Sequence, residues 1–125
     1  MQYQEFVDQV RQRGGLDSFE RAEAATQATL TTLGEYLSGG EGLNLASQLP
    51  QGIAEILHQQ PPDRSKIFSL NDFLQMIGEQ EGVGIEEAEA HARAVVSVLE
   101  EAVTEGEMQD VRRQFPSELD GLFGQ

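Results

Sequence analysis

The strongest constraint on the fold is an apolar helical pattern that occurs twice in the chain. Each copy has four large side chains at i, i+3, i+4 and i+7, the spacing of one buried helix face. The first copy is Tyr3, Phe6, Val7 and Val10, and the second, 67 residues later, is Leu70, Phe73, Leu74 and Ile77. Ser69 can cap the second of these helices, with Asp72 as its capping-box acid. The repetition predicts two equivalent first helices.

A longer apolar stripe follows each first helix and is also repeated, at an offset of 66 residues. Asp17 or Ser18 is placed to cap the first long helix. The two stripes are Phe19, Ala22, Thr26, Leu30, Leu33 and Leu37, then Ile85, Ala88, Ala92, Val96, Leu99 and Val103. The offset falls from 67 to 66 because the second turn is one residue shorter. We therefore expect two long helices with equivalent buried faces.

Two shorter helices are predicted to complete each half. Glycine turns at Gly39-Gly40 and Gly106 precede the third helices, and Pro50 and Pro116 end them and begin the fourth. The polar, proline-rich segment 59–68 is the expected linker. The prediction is an all-α fold: residues 1–125 form one globule of about eight helices, built from pseudo-symmetric four-helix repeats 3–57 and 70–123. Neither half has enough large apolar residues for a core of its own, so the two should share one.

Composition excludes several classes of function. The 125 residues include no cysteine, which rules out disulfides and thiolate metal sites and is typical of a cytoplasmic protein. The net charge of -14 is spread over both halves and would repel nucleic acid and anionic lipid. The N-terminus lacks the features of a signal peptide, and no apolar run is long enough to span a membrane. We expect no nucleic-acid or membrane partner.

Several short segments together match the pattern of a known family. They are Tyr3-Gln4-Glu5-Phe6, the run from Leu33 to Glu41, Gln48-Leu49-Pro50, Phe73, Glu86-Glu87-Ala88, Leu99 and Gln114-Phe115-Pro116. Through them, nearly the whole chain resembles the prokaryotic domain-of-unknown-function family 2267. Gly42 and Asn44 depart from the alanine and acid that the family prefers there. The resemblance implies a small, soluble, all-helical bacterial protein with crossed helices and a somewhat globin-like topology. It implies no activity.

The two histidines are the first candidates for a site. His91 lies about 60–80° from the centre of its helix stripe, at the boundary where a half-buried imidazole keeps its tip in water. The alternative is a haem ligand, if the bundle is globin-like. The repeat equivalent of His91 is Ala25. His58, near the end of a fourth helix, is expected to interact with the last carbonyl groups of that helix.

Acidic clusters offer a second candidate, a carboxylate metal or acid–base site. The clusters are Glu86, Glu87 and Glu89, then Glu100, Glu101, Glu105 and Glu107. The spacing does not match the Glu-x-x-His pairs of a di-iron bundle, so a solvated face is the preferred interpretation. Phosphate-loop, EF-hand and serine-hydrolase motifs are missing from the sequence. We therefore assign no catalytic, cofactor-binding or metal-binding residue and expect no cofactor.

Small residues on the long helices form a second face, away from the main stripe. They are Ala24, Ala28 and Thr31, and likewise Ala90, Ala94 and Ser97. This face is either plain helical surface or a packing face for another helix or subunit.

Three functions are compatible with these observations. The first is a non-enzymatic protein that makes contacts with itself or with a basic partner. The second is a carrier with an apolar pocket between the repeats near His91. The third is a metal- or acid-dependent enzyme.

Overall fold

Four long helices form the body of the computed structural model, which describes residues 1–37, 41–57, 69–115 and 117–123. The described elements are α1 (Tyr3–Gly14), α2 (Phe19–Tyr36), α3 (Glu41–Ser47), α4 (Ile53–Ile56), α5 (Leu70–Glu81), α6 (Ile85–Ala102), α7 (Glu105–Arg113) and a 3₁₀ helix (Ser117–Leu122). No strand occurs in these ranges, so the predicted all-α class is confirmed. The turn at Gly39-Gly40, His58, the linker 59–68 and Pro116 lie outside the described residues.

The long helices begin where side-chain caps are available. The Ser18 hydroxyl accepts a hydrogen bond from the Arg21 backbone N–H, and Ser69 accepts one from Asp72. Helices α1 and α5 both have 12 residues, and α2 and α6 both have 18. Their starting points are 67 and 66 residues apart, which are the offsets of the sequence pattern. Superposition of the two halves stays a prediction.

The fourth helices differ from the expectation. Helix α4 is a single turn that begins at Ile53 and not at Pro50, because Gly52 takes a φ of 95° and breaks the segment before it. The corresponding segment of the second half is a six-residue 3₁₀ helix and not an α-helix. The described residues thus contain seven α-helices, against the eight expected.

The core joins both halves. Helix α1 packs against α2 and α6, α5 packs against α6 and α2, and α2 packs against α6. Leu33 and Leu99, at equivalent positions of the two stripes, are both completely buried. Ile85 is an exception to the predicted stripe because its side chain, at the first position of α6, is 39% exposed.

An aromatic cluster closes one part of this core. Phe115, just after α7, stacks on Tyr36 with ring centroids 4.5 Å apart and contacts Phe73 edge-on at 6.3 Å. Phe123 lies 5.8 Å from Phe115 on another side. The cluster therefore combines the end of α2 with α5 and the C-terminal segment.

Tyr3 connects α1 to α2, and we expect its hydrogen bond to make the stability of the protein depend on pH. Its hydroxyl donates a 2.6 Å hydrogen bond to Glu23, and burial, followed by this bond and the Glu23 charge, raises the pKa of Tyr3 from 10.0 to about 12. The folded protein keeps a proton that the unfolded chain loses above pH 10, so this stabilisation falls as the pH rises from about 10 to 12. Urea unfolding at pH 9 and 11 gives the free energy of unfolding at each pH. Its decrease between the two pH values should be smaller for Tyr3→Phe than for the wild type. Equal losses would refute the raised pKa.

Candidate functional site

A buried hydrogen bond between a histidine and a glutamate is the most unusual polar feature of the described residues. His91 Nδ1 lies 2.7 Å from Glu81 Oε1, and the two side chains are only 5% and 4% exposed. The second carboxylate oxygen, Glu81 Oε2, is buried without a hydrogen-bond partner among the described residues. Burying a carboxylate is costly unless it is hydrogen-bonded, so the contact with the His91 ring stabilises the Glu81 side chain here.

The short α5–α6 turn brings the two residues together. Glu81 is the last residue of α5, and Gly82 follows it in the left-handed conformation that ends the helix. Helix α6 starts at Ile85 and runs back along α5, so that its second turn carries His91 to the end of α5.

The predicted environment of His91 is therefore wrong. The periodicity indicated a half-buried ring with its tip in water, whereas the residue is only 4% exposed. The position on α6 was a boundary position, but the end of α5 covers it. The alternative, a haem-ligand role for His91, stays a prediction. The His91 ring is oriented by a protein carboxylate, that of Glu81.

Two clefts flank this pair. The large cleft, of about 460 Å³, is lined by Gly14, Gly15, Leu16, Asp17, Arg21, Glu86, Glu87, Ala90 and His91. The small cleft, of about 180 Å³, is lined by Glu20, Arg21, Ala24, Glu81 and Val83. Since His91 lines one and Glu81 the other, their hydrogen bond lies between the two clefts.

The clefts correspond to each other through the sequence repeat. Each is formed by the turn after a first helix together with the start of the opposite long helix. The corresponding pairs of lining residues are Gly14 and Glu81, Leu16 and Val83, Glu20 and Glu86, Arg21 and Glu87, and Ala24 and Ala90. A glycine in the large cleft thus stands where Glu81 occupies the small one.

The small-residue face divides between packing and cleft. Ala28 and Ala94 are 3% and 4% exposed, so that part of the face packs inside the protein. Ala24 and Ala90 are exposed, and each lines one of the clefts. Larger side chains at these two positions would occupy the cleft space.

Most of the predicted acidic clusters lie at the surface, as expected. Glu86, Glu87, Glu101 and Glu105 are exposed. The expectation of a solvated face is wrong for Glu107, which is only 7% exposed. It lies in the first turn of α7, where its backbone N–H donates to the Thr104 cap and the helix dipole favours an acid. Within the described ranges, no group of three or more His, Cys, Asp or Glu side chains has the geometry to hold a metal ion.

Glu81 is the site residue that the sequence analysis missed. An acid at the last position of a helix opposes the helix dipole, and α5 has no base in its last turn. This unfavourable placement is a signal that the carboxylate needs a partner from elsewhere. The partner, His91, is ten residues away, beyond the spacing of neighbours on one helix.

The model of the family described as "Uncharacterized conserved protein (DUF2267)" matches residues 3–122. The chain belongs to this family. The match confirms the resemblance noted in the sequence and includes every residue that lines the two clefts. None of the curated proteins compared with the chain matches it. No helix in the described part of this family member is long and apolar enough to cross a membrane.

Proposed function

We propose that this chain is a non-enzymatic binding protein that holds a basic segment of a partner protein in the large cleft. The observation that carries the proposal is the charge of the cleft, where Asp17, Glu86 and Glu87 surround the single guanidinium of Arg21. The Arg21 Nη2 to Glu87 Oε2 distance is 3.9 Å, and both side chains are more than half exposed. Such a loose pair leaves the Glu87 carboxylate available to a cation from outside.

The pairing of the other arginines supports a basic partner. Of the six arginines in the described ranges, five lie within 4 Å of a carboxylate: Arg13, Arg21, Arg93, Arg112 and Arg113. These pairs use up most of the positive charge and leave a large acidic surplus, in line with the net charge of -14. That surplus attracts a basic segment over long range, repels nucleic acid, and opposes self-association of two equally acidic copies. A cytoplasmic location fits this proposal and the absence of cysteine.

A labelled hexa-arginine peptide provides the test, with fluorescence anisotropy at 50 and 150 mM salt as the measurement. Glu87→Gln should weaken binding by up to about fivefold, because one exposed charge pair contributes about 1 kcal/mol or less. Arg21→Gln should strengthen binding by a similar factor, since it removes the competing internal cation. Both effects should shrink at the higher salt concentration.

Glu105→Gln is the matched control. Glu105 is exposed like Glu87 and lies in the first turn of a helix, but it does not line the cleft. Its replacement should change the affinity much less than Glu87→Gln. Equal effects of the two variants would show attraction to net charge alone, and a peptide that does not bind at 50 mM salt would refute the proposal.

A small-molecule carrier is the second candidate, and the size of the large cleft favours it. Its volume of about 460 Å³ falls within the usual range of ligand pockets, roughly 300–1,000 Å³. Leu16 and Ala90 contribute apolar side chains to its lining, beside the charged ones. A carried ligand would then be a small organic cation, and native mass spectrometry of the protein as purified from its own cells would detect it.

A further inference from the structure

The unused nitrogen of His91 points to a specific acceptor inside the large cleft. The His91 side chain is only 5% exposed, and it lines the large cleft. Nδ1 is occupied by Glu81, while no described residue hydrogen-bonds to Nε2. A buried side chain at the wall of a cleft, with one nitrogen that no described residue contacts, can offer that nitrogen to a ligand.

The contact with Glu81 sets the role of each ring nitrogen in this proposal. An ionised Glu81 accepts a hydrogen bond from Nδ1–H, and a neutral ring in this arrangement has its lone pair on Nε2. Glu87 lies one helical turn before His91 on α6 and lines the same cleft. An N–H group of a cation inside the cleft can therefore donate to Nε2, with its charge opposite the Glu87 carboxylate.

We propose that the large cleft contains a subsite for one guanidinium or primary ammonium group, which donates to His91 Nε2, so that binding of this group and protonation of His91 exclude each other. The inference rests on the proposed function and deepens it, because it names the group that is recognised. When the cation binds to the protonated form, the Nε2 proton leaves to solvent. The affinity therefore falls as the solution becomes acidic.

The charged groups around His91 favour one positive charge in the cleft and oppose two. Glu81 contacts the ring from α5, while Asp17 from the α1–α2 turn and Arg21 from α2 line the same cleft as His91. Glu86 and Glu87 are on α6 itself. Arg13, on the neighbouring helix α1, forms an ion pair with Glu101, with Nη2 and Oε2 2.6 Å apart. An imidazolium next to a bound guanidinium would place two like charges in contact, which is unfavourable.

The test uses N-acetyl-arginine amide, whose only charge is its guanidinium, as the probe. Its dissociation constant would be measured at about pH 8 and 5.5, where histidine changes charge and exposed carboxyl groups stay ionised. For the wild type we expect affinity to fall about tenfold or more at the lower pH, because two like charges about 4 Å apart repel strongly in a protein. His91→Gln should abolish this pH dependence.

His58→Gln is the matched control, since it removes the only other histidine of the chain. It should leave the pH dependence of the wild type unchanged. With one imidazole remaining, long-range proton–nitrogen NMR spectra of this variant also report His91 directly. Addition of the probe at pH 8 should shift the Nε2 resonance more than the Nδ1 resonance, and this readout does not depend on the folding of His91→Gln.

The outcomes separate this inference from the proposed function. An affinity for the probe that does not change with pH, or an Nε2 resonance that the probe does not move, would overturn the subsite and leave the binding of basic segments standing. A shifted Nε2 resonance together with no binding of hexa-arginine would support the subsite and refute the partner proposal. Failure of both measurements would refute both.

Discussion

Gly34→Ala should destabilise the protein by about 3 kcal/mol or more, the upper part of the range for overpacked sites. A Cβ at this position of α2 would lie 2.3 Å from the backbone oxygen of Leu57 and about 3 Å from its carbonyl carbon. These are backbone atoms, so no side-chain rotation can relieve the contact. Either the segment after α4 moves away from α2 or the core around Leu57 opens. Urea unfolding measures the loss as a lower midpoint at an unchanged slope.

Gly106→Ala is the control for this change. Gly106 is an exposed glycine near the start of α7, and a Cβ there would meet no atom within 4 Å. Alanine forms helices better than glycine by up to about 1 kcal/mol, so this variant should be neutral or stabilised. If both variants have the same stability, the close approach of α2 to Leu57 is not present in solution.

Leu33→Ala and Leu99→Ala should each cost about 2–5 kcal/mol, through lost burial and the remaining cavity. Both leucines are completely buried and belong to one continuous core with residues of both halves. Each variant should therefore lower the melting temperature of the whole protein, by about 3–6 °C for each kcal/mol, in a single transition. Differential scanning calorimetry gives both the midpoint and the number of transitions.

Leu43→Ala controls for the loss of leucine as such. Leu43 lies on α3 with 65% of its surface exposed, so its replacement should change stability by about 0.5 kcal/mol or less. A shared core also implies that residues 1–62 and 63–125 do not fold when they are produced separately. Two transitions in Leu33→Ala, with one at the wild-type temperature, would show independent halves.

Local patterns sufficed to predict the helices and much of the core. The spacing of Phe6, Val7 and Val10 specifies a buried face within one helix, and a serine such as Ser69 marks where a helix begins. Such features depend on residues within a few positions of each other, so they can be recognised without a structure. Ile85 fits the same pattern but is exposed, because the pattern does not show how far the neighbouring helices extend over the first turn of α6.

The candidate site depends on contacts between helices and was largely unpredictable. The spacing placed His91 at a boundary, but whether a boundary position is covered depends on where the end of α5 lies. The Glu81–His91 contact results from the short turn and the packing of α5 on α6. The large cleft likewise depends on Gly14, whose lack of a side chain matters only once α1 is placed against α6.

The stacking of Tyr36 on Phe115 gives the protein an optical signal from its own core. The chain has no tryptophan and only two tyrosines. Tyr36 is 8% exposed and lies against a ring of the other half, in an asymmetric and rigid environment. Tyr3→Phe leaves it as the only phenol, so near-ultraviolet circular dichroism of that variant follows one contact between the halves. Separation of the two halves can then be detected without an added dye.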